Sequence, residues 1–498
     1  MDITVRDLSE EAMKADLLVL PFFEDSPSDL YSSIDTLIGG LVRKVFSAKE
    51  FTGKLNQLTL LHVGNINADR VLLAGLGKQA DITADRIRQA GGKAFAHAQD
   101  RGCESVALST TLLRTAAKGP ALSETKKDPS SYFLEGGLLG LYRFEKYKKP
   151  DNGKEIKKIT VLADKRDFPV QWLTTVTSAV NFAKDMIMTP SNDMTPSTLG
   201  SIAKSLASRK VKVTVLDRKA ADKKGMGAYL ALAKGSAEQP QFIIVEYKGG
   251  KGAPLVLVGK AITFDSGGLS IKPAEGMEKM KYDMAGGATV LAVIKAAAEL
   301  SLPLNVTAII PAAENMPGGK AYRPGDVLRT ITGKTVEIIS TDAEGRLALA
   351  DAIGYAVKYC KPSAVIDIAT LTGACSIAFG NEAIAMMGTS DALMERLREA
   401  SKETYERVWE MPLYEEYKDY LKSDVADMKN AGGRSGALVS AGYFLKEFAG
   451  EVPWVHLDIA GTSWNEKDKP YLTKGATAVG VRLLLSFLEQ GAFSQAGK

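Results

Sequence analysis

A chain of 498 residues is too long for one ordinary core, so two domains are expected, and its 45% hydrophobic and 24% charged residues are the balance of a globular protein. With 63 basic against 59 acidic residues the formal net charge is +4, which removes any general electrostatic case for nucleic acid or an anionic membrane as partner. Three scattered cysteines (Cys103, Cys360, Cys375) and three histidines (His62, His97, His456) argue against a disulfide framework and against a thiolate or histidine-rich zinc centre, so any metal must be held mainly by oxygen.

In chain order, Met1-Asp-Ile-Thr-Val-Arg-Asp7 has charges where a secretory segment needs an apolar run. No stretch reaches the length of a membrane span, so a cytoplasmic protein with structurally buried thiols is expected. Apolar runs at 16–21, 57–63, 70–75 and 156–163 predict strands, and 83–99 and 121–142 predict helices. Near-continuous apolar strands imply a sheet covered on both faces, hence an α/β unit. Gly75-Leu-Gly77 is too short a match for a phosphate loop. The lysine-rich segment 146–154 predicts a solvated loop, and 168–188 a long amphipathic helix leading into the second domain. Pro190 and Pro196 then stop one helix and start another. The expected domains are 1–167 and 168–498.

The second domain continues the alternation, with strands predicted at 211–216, 241–247, 254–259, 305–311, 364–369 and 454–459 and helices at 287–300 and 347–359. Two acidic, glycine-rich loops stand out. One runs Val258-Gly-Lys-Ala-Ile-Thr-Phe-Asp-Ser-Gly-Gly-Leu-Ser-Ile-Lys272 and continues to Met280-Lys-Tyr-Asp-Met-Ala-Gly-Gly287. The other is Ser340-Thr-Asp-Ala-Glu-Gly-Arg-Leu347, led in by a strand-like run 336–339. Both are expected at the carboxyl ends of strands, where open α/β sheets place their ligands.

Asp265, Asp283, Asp342 and Glu344 would repel one another at close range, and burying them unpaired would cost several kcal/mol each. Two divalent cations roughly 3.5–4 Å apart resolve that repulsion and can activate one shared water. Lys260 and Lys272 complicate the site: one can serve as a neutral amine ligand while the other stays protonated and faces a substrate carbonyl. Simpler readings compete. Thr341-x-x-Glu344 fits a helix capping box, Asp283 can cap the helix that follows it, and both lysines can be plain ion-pair partners.

The turn Asp342–Leu347, Gly259–Gly268, Lys281–Gly287, Ala369-Thr-Leu-Thr-Gly373 and His456-Leu-Asp-Ile-Ala-Gly461 together resemble the leucyl aminopeptidase, or cytosol aminopeptidase, family from about residue 192 onward. The resemblance implies a smaller, macrodomain-like N-terminal α/β domain and a larger C-terminal α/β catalytic domain with a mixed central sheet flanked by helices. It implies two divalent metal ions per subunit, Mn²⁺ or Zn²⁺ with Co²⁺ or Mg²⁺ as alternatives. Asp265 and Glu344 would bridge the pair, Asp342 would hold the more exchangeable ion, and Lys260 and Asp283 the tighter one. Lys272 matches the cation that polarises the scissile carbonyl, and Arg346 the residue that holds bicarbonate as general base. Met280, Thr370, Gly373 and Ala460 match positions lining the pocket for the first side chain. Ser340 stands where the family usually has Asn, a change outside the ligand set.

The implied activity is release of a Leu-like N-terminal residue, with broad specificity, from short peptides with a free amino terminus, by a homohexamer engaged in intracellular peptide turnover. The alternative within the same family is a DNA-binding accessory or transcriptional regulatory role, with or without peptidase activity. Its sequence support is thin, resting on the lysines of 146–158, and such binding would weaken steeply with salt. A two-metal phosphatase or nuclease would need a phosphate-binding loop that the sequence does not supply.

Overall fold

A computed structural model of the chain describes residues 1–7, 9, 11–25, 31–111, 113, 122, 127–149, 155–163 and 168–491. These form two compact units, Met1–Thr177 with Lys467–Lys474, and Ser178–Glu466 with Gly475–Lys498. The boundary between them falls inside the helix Val170–Met188.

The first unit is a six-stranded sheet of β1 (Asp2–Arg6), β2 (Leu17–Phe22), β3 (Leu58–His62), β4 (Arg70–Gly75), β5 (Ser105–Ser109) and β6 (Lys158–Leu162), in the order β1-β6-β5-β2-β4-β3. Every pairing is parallel except β3 with β4. Alternate residues of β2 enter different cores: Leu17 and Val19 pack with Ile87 and Phe95, while Leu18, Leu20 and Phe22 pack with Ile34 and Val42. That two-sided burial is why the strand reads as an unbroken apolar run. Thr83 caps the helix Ala84–Asp100 by accepting from Arg86 N. The second predicted helix is shorter than its apolar run, spanning Pro129–Gly140 behind the cap residue Asp128; residues 121 and 123–126 lie outside the described residues. Lys146–Lys149 are exposed, as a solvated loop should be, and 150–154 lie outside the described residues.

The second unit is built on a nine-stranded mixed sheet. Its strands are β7 (Val211–Leu216), β8 (Gln241–Lys248), β9 (Leu255–Gly259), β10 (Ala261–Asp265), β11 (Asn305–Asn315), β14 (Ala364–Ala369), β15 (Ile384–Gly388), β16 (Val408–Glu410) and β18 (Trp454–Asp458). The order is β16-β15-β18-β14-β9-β11-β8-β7, with β10 continuing alongside β11. The central pairings of β9, β11, β14 and β18 are parallel, β8 runs antiparallel to both its neighbours, and β15 runs antiparallel to β18 but parallel to β16. The helix Ala285–Glu299 covers one face, buried along most of its length, as its lack of a polar stripe foretells. The helices Glu344–Tyr355 and Ala437–Ala449 cover the other through Leu347, Ile353 and Phe444, in one core with Trp454 of β18.

Three expectations need correction. The run 336–339 is a strand only over Thr335–Glu337; as β13 it joins β12 (Val327–Arg329) and β17 (Met428–Lys429) in a separate three-stranded sheet. The Asp342 turn therefore follows this small sheet and not a main-sheet strand, because two apolar residues at 338–339 are too few to extend the ladder past Glu337. The helix after the turn begins at Glu344, one turn earlier than its apolar pattern suggests, since Glu344 and Arg346 belong to the helix while serving the site. Cys360 is half-buried, in a π turn after that helix, whereas Cys103 and Cys375 are buried as expected. Among the described residues, no helix is long and apolar enough to cross a membrane.

Candidate metal centre

Lys260 is the single residue between β9 and β10, which both run beside β11. Its backbone is fixed at that break by Lys260 N donating to Ile368 O at 3.2 Å and by Gly287 N donating to Lys260 O at 2.7 Å. Asp265 closes β10, so one bent strand delivers two of the predicted site residues. Asp283 precedes the helix Ala285–Glu299, and Asp342 and Glu344 sit on the turn into Glu344–Tyr355.

These segments converge. Lys260 Nζ lies 2.8 Å from Asp283 Oδ1 and 2.9 Å from Glu344 Oε1, and donates to Thr370 O at 3.0 Å. Lys272 Nζ lies 2.9 Å from Asp265 Oδ2 and 2.5 Å from Asp342 Oδ1. Carboxylate oxygens of Asp265, Asp342 and Glu344 all fall within 4.8 Å of one another. Lys260, Asp265, Asp283 and Glu344 are each no more than 4% exposed, so their charges are desolvated. Both lysines are ion-pair partners of these carboxylates, as the simpler reading expected. The capping readings do not: Met284 and Ala343 are the N-cap residues of the two helices, and Thr341 Oγ1 donates instead to Gly267 O at 2.6 Å.

The electrostatics follow from four carboxylates sharing two ammonium groups. Burial, assisted by the neighbouring acids, pushes Asp265 and Asp283 above the ordinary carboxylate range against the pull of the lysines. Asp342, less enclosed, is pushed up to about 6 by burial and then by Glu344. Burial would raise Glu344 as well, but Lys260 and Lys272 hold it below its usual value. Both lysines stay protonated despite burial, Lys260 through Asp283 and Glu344, Lys272 through Asp265 and Glu344. More carboxyl groups than ammonium groups, offering oxygens from separate segments with one lysine nitrogen among them, make the donor set that hard and borderline divalent cations take.

Arg346 is buried beside this cluster. Its Nη1 donates to Asn430 O at 2.6 Å, while Nε has no hydrogen-bond partner among the described residues. Burial draws the guanidinium down to about 10, with Glu344 and Asp458 opposing. Of the expected pocket residues, Thr370 Oγ1 donates to Asp283 Oδ1 at 2.7 Å. Ala460 N and Leu371 N both donate to Asp458 Oδ1 at 3.1 Å, and Thr372 Oγ1 to Asp458 Oδ2 at 2.7 Å. Asp458 thus ties together the loops that carry Thr370, Gly373 and Ala460. Met280 accepts from Asp283 N at 3.4 Å, next to the cluster.

Sequence reasoning missed Asn315, Tyr322, Asn430 and Asp458 and gave Thr341 only a capping role; all five hold site residues or their backbone. The available signal was positional: Asn315 and Asp458 are polar residues at the carboxyl ends of otherwise apolar strands. His456 is buried in β18 with Nδ1 2.5 Å from Asp367 Oδ1, whose Oδ2 accepts from Trp454 Nε1 at 2.7 Å. It lies outside the carboxylate group that can hold an ion.

Fold and cluster together define an α/β protein with an oxygen-rich carboxylate cluster, able to hold a cation, beside its central parallel strands. Family models give that class its family: the catalytic domain of the cytosol aminopeptidase family matches residues 181–485, and the N-terminal domain of the same family matches 19–151. The chain belongs to the cytosol aminopeptidase family. It is 47% identical over 470 residues to the "Probable cytosol aminopeptidase" of Geotalea uraniireducens (strain Rf4), covering 92% of this chain and 93% of that one. It is 44% identical over 502 residues to that of Geobacter sulfurreducens, covering 98% and 99%. Among solved structures, a mutant of tomato leucine aminopeptidase superposes with a TM-score of 0.87 at 31% identity, covering 99% of this chain and 97% of that one. The bottromycin maturation enzyme BotP in complex with Mn superposes at 0.85 with 30% identity, covering 96% and 99%.

Proposed function

We propose that the protein is a two-metal exopeptidase that hydrolyses the N-terminal residue from short peptides with a free amino terminus, preferring Leu-like residues, and that it serves peptide turnover in the cytoplasm. The observation that carries this reading is the convergence of Asp265, Asp342 and Glu344 within 4.8 Å, with Asp283 and two lysines completing the cluster. Family membership supplies the reaction class. Catalysis is assigned to residues 168–498, with 1–167 as a separate domain, and the working assembly is proposed to be a homohexamer.

Asp265 and Glu344 are assigned as shared ligands, Asp342 as a ligand of one ion, and Lys260 with Asp283 as ligands of the other. Lys260 would have to give up its proton to serve. Bound Mn²⁺ or Zn²⁺, with Co²⁺ or Mg²⁺ as substitutes, supplies charge neutralisation and an attacking water made acidic enough to ionise near neutral pH. Lys272, whose ammonium is fixed by two carboxylates yet 22% exposed, donates to the substrate carbonyl oxygen and stabilises the negative charge that develops there. Arg346 would hold bicarbonate, which supplies a proton acceptor; the unpartnered, buried Nε is the donor that suits an anion. Thr370, Gly373, Ala460 and Met280 form the proposed pocket for the first side chain. Discrimination of one methylene is worth about 1–3 kcal/mol, so several apolar residues should be accepted.

The test is Asp342→Ala. Its side chain is 37% exposed, so the fold should survive while hydrolysis of Leu-peptides falls by at least about a thousandfold. Near-normal turnover by a folded Asp342→Ala protein would refute the assignment.

A further inference from the structure

Asn315 ends β11 directly opposite Asp265 in the parallel register and is completely buried. Its Nδ2 donates to Asp265 Oδ1 at 2.8 Å and to Thr341 O at 2.9 Å, with Glu344 Oε2 at 3.5 Å. Its backbone carbonyl accepts from Ser266 N at 3.0 Å and Ser266 Oγ at 2.8 Å. A single residue thereby braces the loop after β10 to the turn before the helix Glu344–Tyr355. Tyr322 Oη donates to the same Thr341 carbonyl at 2.7 Å but, unlike Asn315, has no hydrogen bond to a carboxylate among the described residues.

We propose that Asn315 is a positioning residue: it sets the orientation of Asp265, one of the two shared ligands, ties it to the turn that carries the other, Glu344, and so controls how tightly divalent cations are held. The physical reason is the kind of donor. A carboxylate can rotate about its last bond, and two of them this close repel; an N–H fixes one oxygen of Asp265 by a directed bond. A lysine in the same place would also fix it, but its charge would oppose an incoming cation. A neutral amide orients the ligand while leaving the negative charge of the cluster undiminished, and Asp265 Oδ2 stays available on the side of Lys272. Partners of this kind behind metal ligands typically change metal affinity by about 10–100-fold.

This inference rests on the two-metal reading above, and the experiment separates the two. Metal-free full-length protein is titrated with Mn²⁺ by calorimetry for the wild type, Asn315→Ala, Asn315→Ser and Tyr322→Phe, and each is assayed on a Leu-peptide at saturating Mn²⁺. Asn315→Ala is expected to bind Mn²⁺ about 10–100-fold more weakly and to lose kcat with KM nearly unchanged. Asn315→Ser, whose short hydroxyl cannot span Asp265 and Thr341 together, should bind more weakly than wild type even if Asn315→Ala fails to fold. Tyr322→Phe removes the other bond to Thr341 and should bind Mn²⁺ within about threefold of wild type. Wild-type affinity in a folded Asn315 variant, or an equal loss in Tyr322→Phe, overturns the inference and leaves the two-metal reading standing. Failure of the wild type itself to bind Mn²⁺ overturns that reading, and this one with it.

Discussion

Gly345 shows how closely the charged groups are packed. A Cβ on this residue would lie 2.5 Å from Lys260 Cε and 2.7 Å from its Nζ, so any larger residue displaces the lysine from Asp283 and Glu344. Gly345→Ala should therefore lose stability by about 1–3 kcal/mol, and lose Mn²⁺ affinity as well; denaturant unfolding and metal titration check both, and wild-type values in both would mean that Lys260 is free to move. Gly267 meets a related demand, with φ of +85° and a would-be Cβ 2.8 Å from Asp342 Oδ1. The thiols behave differently. Burial pushes Cys360 up to about 11 and Cys375 up to about 12, so neither holds appreciable thiolate near neutral pH. Cys360 in the native protein should react with iodoacetamide about two orders of magnitude more slowly than free cysteine at pH about 8, its rate climbing with pH toward 11. Fast labelling at neutral pH would contradict this environment. At this scale the clustered acids were legible because several charges gathered around glycines. Asn315 and Asp458 were not, because one polar residue at the end of an apolar strand looks the same whether it braces a site or faces water.

The helix Glu344–Tyr355 carries site residues at its start and is held by a buried acid near its end. Asp351, fully buried, accepts from Tyr229 N at 2.8 Å and from Ile331 N at 2.7 Å, pinning the helix to two neighbouring segments. Burial pushes its carboxyl up to about 7, against the N–H groups that favour the charged form. A carboxyl raised above its unfolded value contributes stability that is complete below about pH 4 and lost as pH rises through about 7. The unfolding free energy of wild type relative to Asp351→Asn should thus fall by up to a few kcal/mol across that window, as read by denaturant melts at several pH values; a flat difference would contradict the shift. Among elements, β7, β8 and β14 were readable from apolar runs bounded by polar residues. β10 was not, since Lys260 interrupts the run between β9 and β10, and the short strands β15 and β16 lack a pattern long enough to register.

For the molecule as a whole, the central fact is electrostatic: four carboxyl groups, three of them buried, face only two ammonium groups. Cations that bind the folded chain and not the unfolded one must stabilise it, by about 2.7 kcal/mol at a hundred times the dissociation constant. Chelation should therefore abolish peptide hydrolysis and lower the unfolding temperature together, with Mn²⁺ or Zn²⁺ restoring both; activity that survives exhaustive chelation would contradict the proposed chemistry. The fold class was legible at this scale because strand and helix alternate through both halves, and the family resemblance carried the mixed sheet. The detached three-stranded sheet before Asp342 was not foreseen, since a three-residue strand leaves no periodic trace. The most direct measurement is anomalous diffraction from crystals of the Mn²⁺-loaded protein. The account predicts two peaks per chain, one among Asp265, Asp342 and Glu344 and one beside Lys260 and Asp283. Mn²⁺-saturated crystals with Lys260 and Lys272 still bridging the acids and no anomalous peak between them would contradict it.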